Sequence, residues 1–247
     1  MKLLSWKVWL GLSLVWVSAM FYGIHYLLFR DVNYMLRLFF AQLGFLPINV
    51  LLVTIIINQL LSAHARRAKL AKLNMVIGGF FSEVGQDLLK SISAFAAGQD
   101  RFNTLIKEIG RWSDHDFADF RKSLPGYDFA FSTEEIKLEL LQTFLTDKRD
   151  FLLRLLENPN LLEYDAFSNL LLAVFHLVEE LTKRRELQHL SNADQEHLTG
   201  DLERVYVLLI SSWLDYMRHL KNNYPYLFSL AVRTNPFDPQ ATVEISE

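Results

Sequence analysis

The chain has 247 residues, 25 Lys and Arg against 28 Asp and Glu, a formal net charge of -3, and no cysteine. These counts exclude disulfides, thiolate nucleophiles and cysteine-ligated metal sites, and they argue against a nucleic-acid-binding protein because no broad electropositive surface is available. Hydrophobic residues make up 51% of the chain and are concentrated in its first quarter, which predicts a membrane protein with a water-soluble remainder.

Two segments without charged residues open the chain, at residues 8–29 and 38–61. As helices, both are long enough to cross a hydrocarbon core of about 30 Å, so the stretch 30–37 is expected to join two antiparallel transmembrane helices. A cleaved signal peptide is the alternative, because a basic start precedes an apolar run with Val-Ser-Ala at 17–19. The run continues to residue 29, which favours a span.

Basic residues predict the orientation of this hairpin. Lys2 and Lys7 precede the first span. Four cations follow the second span, namely Arg66, Arg67, Lys69 and Lys72. Because cations are enriched on the cytoplasmic side, both termini are expected in the cytoplasm, at the plasma membrane or the bacterial inner membrane. The four cations are also candidates for binding anionic lipid headgroups, although topology alone explains them.

Small and amide residues within the spans predict association between helices. Ala19 and Gly23 form a small-xxx-small pair, and Pro47 is expected to kink the second span. Gln42 and Asn49 are seven residues apart and share a helix face, where an amide in hydrocarbon needs a partner helix or water. We expect these positions to hold a homo-oligomer together; the alternative is that Gln42 and Asn49 line a pore.

The rest of the chain carries helical signals. The second span is expected to continue as one helix to about residue 95, loosened at the glycines 78–79. Ser132 with Glu135 forms a capping-box pattern at the start of a later helix. Apolar residues at spacings of three and four then predict two long amphipathic helices joined by a polar turn.

Motifs of common enzyme classes, such as the P-loop, GxGxxG, GxSxG and HExxH, are absent from the sequence. His115 and Asp116 resemble the HD pair of metal-dependent HD phosphohydrolases, but together with Asp114 they directly follow Ser113 and suit the start of a helix. Glu186 and His189 have the ExxH spacing of carboxylate-bridged dimetal bundles, but they flank a polar turn. No metal or cofactor is predicted.

The sequence therefore predicts an all-α fold, with a transmembrane hairpin at 1–63, a cytoplasmic helical bundle at 64–235 and a loose tail at 236–247. The predicted function is that of a non-enzymatic two-pass membrane protein, homo-oligomeric through its transmembrane helices, whose cytoplasmic domain is an interaction or signalling module coupled to the membrane. Expected partners are the lipid bilayer, further copies of the chain and a cytoplasmic protein. An ion channel lined by the second span is the alternative, and an HD-type hydrolase is a third hypothesis.

Overall fold

The computed structural model describes residues 2–127, 129–131, 135–159, 161, 164–184 and 186–244; the side chains of residues 2–5, 7, 63–71, 100 and 135–136 lie outside the description. The structure is mostly helical (83%), which confirms the helical class expected from the sequence. The chain forms two compact units, Met1–Arg66 and Arg67–Glu247.

Two long helices begin the chain. Helix α1 spans Lys2–Phe29 and helix α2 spans Val32–Phe80, the first part of which belongs to the N-terminal unit. Within these helices the segments Val8–Phe29 and Val32–Ser62 are long and apolar enough to cross a membrane. The protein buries no residue of either segment, so their apolar side chains stand exposed.

The connection between α1 and α2 consists of Arg30 and Asp31 alone, and is shorter than the predicted stretch 30–37. Arg30 ends α1 in a left-handed conformation with φ 47°, and its backbone N–H donates to the Tyr26 carbonyl at 2.9 Å. Asp31 caps α2, because its carboxylate accepts from the Tyr34 backbone N–H at 2.9 Å. Because of this cap, α2 begins at Val32 and not after Arg37, where the uncharged run begins.

The second unit continues helical from the end of α2. A π-helical turn at Phe81–Gly85 follows directly, and helix α3 occupies Gln86–Ser93. The helical path thus ends close to the predicted residue 95, but its irregularity lies at 81–85 and not at the glycines 78–79. Gly85 permits this turn, since a Cβ there would stand 2.5 Å from Cδ1 of the Phe81 ring.

The remaining elements are short helices and strands followed by four longer helices. They are β1 (Ala96–Ala97), α4 (Asp100–Lys107), a 3-10 turn (Glu108–Arg111), α5 (Asp114–Ser123), a 3-10 turn (Leu124–Gly126), β2 (Ala130–Phe131), α6 (Glu135–Leu156), α7 (Asp165–Lys183), α8 (Asn192–Asn223) and α9 (Pro225–Arg233). The strands pair antiparallel, with Ala96 opposite Phe131, and are the exception to the all-α prediction. The predicted cap Ser132 lies outside the described residues.

Helix α7 packs between α6 and α8, and α8 also packs against α3, α5 and α9. Its apolar residues recur every three to four positions, so one face is completely buried. The largest fully buried side chains of the unit include Phe80, Phe81, Phe102, Phe167, Tyr206 and Trp213. The α7–α8 pair is therefore a rigid platform for any side chains that project from it.

The start of the predicted loose tail is packed into this core. Phe237 is buried, and its ring lies 5.3 Å from the rings of Phe102 and Trp213. Asn235 anchors the segment, since its side-chain N–H donates to the Ile106 carbonyl at 3.2 Å and its side-chain oxygen accepts from the Phe237 backbone N–H at 3.1 Å. The expectation of a loose tail is wrong for this part, because burial of an aromatic ring outweighs the turn-forming prolines around it.

Candidate functional site

The predicted association residues fall on the two N-terminal helices. The Tyr22 hydroxyl of α1 donates to the Gln42 side-chain oxygen of α2 at 3.0 Å, so this amide has a partner within the hairpin. Asn49 is exposed, and Pro47 lies inside α2. Gly23 faces open space, since no atom outside its own helix backbone lies within 4 Å of the position of a Cβ.

Other predicted site residues on these helices are exposed or lie outside the description. Ala19 is exposed one turn before Gly23. Among the predicted headgroup cations Lys72 is exposed, whereas the side chains of Arg66, Arg67 and Lys69 are outside the described set. The headgroup site stays a prediction.

The HD pair belongs to the start of helix α5. The Ser113 backbone N–H and hydroxyl both donate to the Asp116 carboxylate, at 2.7 and 2.8 Å, which closes a capping box. These bonds hold the pKa of Asp116 below its ordinary value. His115 instead pairs with Asp119, Nδ1 to Oδ2 at 2.8 Å, on an exposed surface. Asp116 therefore caps the start of α5, whereas His115 belongs to an exposed ion pair one turn further on.

Glu186 and His189 lie in the turn between α7 and α8. His189 adopts a left-handed conformation with φ 61°, and Glu186 is exposed. Leu187, between them in the same turn, is buried.

The structure brings together a different set of histidines and carboxylates, from α7 and α8. Within the described residues, ligand atoms of His176, His197 and Asp201 lie within 4.8 Å of one another. Asp201 Oδ2 is 3.4 Å from Nε2 of each histidine. Glu180 lies beside them, with Oε2 3.6 Å from His197 Nε2 and Oε1 4.0 Å from His176 Nε2. We call these four residues the His–carboxylate cluster.

Local helix geometry explains how each half of the His–carboxylate cluster forms. His176 and Glu180 are four residues apart on α7, and His197 and Asp201 are four residues apart on α8. Side chains at i and i+4 lie on the same helix face, one turn apart. The packing of α7 against α8 then turns both faces towards each other.

Arginines hold the two carboxylates from outside. Arg204 donates to Asp201 Oδ1 at 2.9 Å, and Arg184 donates to Glu180 Oε2 at 2.5 Å. The Arg184 hydrogen bond is the main reason that the pKa of Glu180 lies below its ordinary value, so this carboxylate stays ionised in mildly acidic solution. Both carboxylates are thus fixed in position beside the imidazoles.

Burial differs sharply across the His–carboxylate cluster. The Asp201 side chain is 2% exposed, whereas those of His176 and His197 are 45% and 53% exposed. Within the described residues, Asp201 Oδ2 is buried without a hydrogen-bond partner. A buried carboxylate thus lies below two imidazoles that solvent can reach, an arrangement suited to a cation.

Sequence reasoning missed this cluster because it searched for ExxH and HD spacings. The signal that was present is a pair of H-x-x-x-acid patterns, HLVEE at 176–180 and HLTGD at 197–201. A single pattern of this kind is common on helix surfaces as an ion pair. Only the register of α7 against α8 makes the two patterns one site.

Two family models match the chain. The C-terminal helical domain of the uncharacterized protein MJ1433 matches residues 69–233, and the N-terminal helical domain of MJ1433 matches residues 2–61. The uncharacterized protein MJ1433 of Methanocaldococcus jannaschii is 44% identical over 234 residues, which cover 95% of this chain and 94% of that protein. No solved structure matches the chain. Because both helical domains match and the relative is 44% identical over nearly the whole of both chains, the chain belongs to the MJ1433 family.

Proposed function

We propose that the chain is a non-enzymatic integral membrane protein, which crosses the bilayer twice and carries a helical interaction module on the cytoplasmic side. The exposure of the apolar segments Val8–Phe29 and Val32–Ser62 carries this proposal, because the protein buries no residue of either one. A core helix of a soluble protein would be covered. The largest apolar patch of a soluble monomer is about 300–600 Å², far less than two helices of this length expose, and a bilayer removes the cost of hydrating them.

The contact between Tyr22 and Gln42 supports a hairpin within the bilayer. An amide without a partner in hydrocarbon costs several kcal/mol, and the Tyr22 hydroxyl supplies a partner at 3.0 Å. A Gln42 engaged in this way contributes to holding the two helices together. This contact favours the hairpin over a pore, which would need Gln42 to face an aqueous path.

Association with further copies is supported by the open space at Gly23. Small residues allow two helix backbones to approach closely, yet among the described residues no side chain beyond its chain neighbours lies within 4 Å of a Cβ at Gly23. Ala19 lies one turn away and is also exposed. We therefore propose a second copy of the chain as the partner of this face.

The second unit supports the role of an interaction module. Its helices enclose a continuous core with fully buried aromatic residues, as a domain that presents a stable surface requires. The distribution of cations around the spans supports a cytoplasmic position for this unit. The partner class that we propose is a cytoplasmic protein.

Membrane insertion is tested by carbonate extraction of membranes that contain the full chain, together with reporters fused at Met1 and at Glu247. We expect the chain to stay in the membrane pellet and both reporters to be active only in the cytoplasm. Release by carbonate would refute the proposal. Loss of the Met1 reporter through cleavage would instead establish the signal-peptide alternative.

Association is tested by disulfide cross-linking between introduced cysteines, which has no background from native cysteines because the chain contains none. We expect Gly23→Cys to give cross-linked dimers in membranes. Phe21→Cys is the matched control, since it is exposed in the same helix but about 200° away around the axis. Equal yields at the two positions would refute the proposed face. Reconstituted protein that conducts ions, with the current abolished by Asn49→Leu, would favour the pore.

A further inference from the structure

We propose that α7 and α8 bind one divalent transition metal ion, Zn²⁺ by preference, through the His–carboxylate cluster. His176 Nε2, His197 Nε2 and Asp201 Oδ2 are the three principal ligands, and a Glu180 oxygen is the fourth. The ion links the two central helices of the second unit. This inference is independent of the proposed membrane function.

The distances within the cluster fit such a site. Zinc bonds to nitrogen and oxygen measure about 2.0–2.1 Å, so the ligand atoms of a tetrahedral site stand about 3.3–3.4 Å apart. Asp201 Oδ2 lies 3.4 Å from Nε2 of both His176 and His197, and Glu180 Oε2 lies 3.6 Å from His197 Nε2. The longest of these contacts is 4.0 Å, from Glu180 Oε1 to His176 Nε2, and the ligand atoms of His176, His197 and Asp201 all lie within 4.8 Å of one another, so the bound ion would draw the ligands together.

An independent observation comes from Asp201. Its carboxylate is almost completely buried, and Arg204 uses only Oδ1, so Oδ2 has no hydrogen bond among the described residues. A buried carboxylate oxygen without a partner is costly, and burial of charge is normally offset by pairing or by a metal. Oδ2 is directed at the two imidazole nitrogens, where the ion would lie.

The ligand types select the class of metal. Imidazole nitrogen suits Zn²⁺, Cu²⁺, Fe²⁺ and Ni²⁺, whereas Ca²⁺ and Mg²⁺ prefer oxygen ligands alone. Two imidazole nitrogens together with two carboxylates favour Zn²⁺. Arg204 and Arg184 then orient Asp201 and Glu180 from outside, as the outer partners of metal ligands commonly do.

The competing explanation is a network of ion pairs in which the histidines and arginines only balance the two carboxylates. The two explanations differ in a measurable way. An ion-pair network has no need of a metal, and its histidines bind Zn²⁺ no better than any exposed pair. The exposed pair of His115 and Asp119 on α5 provides that reference, because it has the same i, i+4 spacing but belongs to no group of three possible metal ligands among the described residues.

The experiment uses the full chain in detergent, without a histidine tag, stripped with a chelator and titrated with Zn²⁺ by calorimetry. We expect one Zn²⁺ per chain, and Co²⁺ in its place should give the visible absorption of a four-coordinate ion. His176→Gln, His197→Gln and Asp201→Asn should each weaken Zn²⁺ binding by at least about 100-fold, since the loss of outer partners alone costs about 10–100-fold. His115→Gln should leave the affinity unchanged.

Two results would overturn the proposal. One is the absence of a stoichiometric Zn²⁺ site in the wild-type chain, and the other is an equal effect of His115→Gln and His197→Gln. Misfolding is controlled by near-ultraviolet circular dichroism of each variant. Because His176 is nearly half exposed, His176→Gln keeps the test valid even where Asp201→Asn fails to fold.

Discussion

The packing around the π-helical turn at Phe81–Gly85 predicts that a side chain at Gly85 destabilises the fold. A Cβ at this position would lie 2.5 Å from Phe81 Cδ1 and 2.9 Å from Phe80 Cε1, well inside the 3.5–4.0 Å at which carbon atoms pack. Neither ring can move away easily. Phe80 and Phe81 are fully buried, with Phe80 edge-on to Phe167 and Phe81 stacked on Tyr216. Gly85→Ala should therefore overpack the core.

The expected magnitude follows from two opposing terms. Overpacking typically costs about 1–3 kcal/mol, and the better helix propensity of alanine returns about 0.5–1 kcal/mol because Gly85 has an ordinary helical φ of -65°. The midpoints of the two terms leave a net loss in the free energy of unfolding of about 1 kcal/mol. For a unit of this size each kcal/mol shifts Tm by about 2–4 °C, so Gly85→Ala should lower Tm by about 2–4 °C.

Thermal unfolding of the full chain in detergent measures this shift, followed by the fluorescence of the tryptophans, among which Trp213 is fully buried. Gly79→Ala is the matched control, since Gly79 is exposed in α2 and no side chain lies within 4 Å of its Cβ position. It should raise Tm by about 1–4 °C through helix propensity alone. A Gly85→Ala protein as stable as Gly79→Ala would refute the steric argument.

Three further predictions concern the second unit. Phe237→Ala should lower the free energy of unfolding by about 3–5 kcal/mol, because it removes a ring that is 4% exposed, and a loss below about 1 kcal/mol would restore the loose-tail interpretation. Ser113→Ala should cost about 0.5–2 kcal/mol in a denaturant titration, since it removes the cap bonded to Asp116; no loss would count against the capping box. The pKa of Glu180 is lowered in the folded protein, so this group stabilises the fold above its ordinary pKa of 4.5, and this stability is lost as the pH falls through the folded value. The free energy of unfolding, measured from pH 6 to pH 3, should therefore fall less in Arg184→Met than in wild type. Equal profiles of the two proteins would contradict Arg184 as the cause.

Local sequence features predicted much of the fold. The helical spacing of apolar residues in α7 indicates its buried face, and Ser191 before α8 accepts the Asp194 backbone N–H as an N-cap does. The apolar runs at 8–29 and 38–61 fall within the helices that are long enough to span a membrane. These features depend on residues within a few turns of one another, so a sequence displays them directly.

Features that depend on distant residues were not predictable in the same way. Phe237 is buried because Phe102, more than a hundred residues earlier, lies beside it. The π-helical turn depends on how Phe81 packs against Tyr216. The local sequence pattern indicates neither neighbour. For this reason a loose segment was predicted where Phe237 is buried, and the helical irregularity was predicted at residues 78–79 instead of 81–85.

By itself, the sequence determined the helical class, the two long apolar segments and the absence of cysteine chemistry, because composition and periodicity act along the chain. Only the tertiary structure decided which polar side chains meet. His176 and His197 belong to separate helices, and their common approach to Asp201 requires one particular register of α7 against α8. That register follows from the close packing of complete apolar faces, to which every residue in the interface contributes.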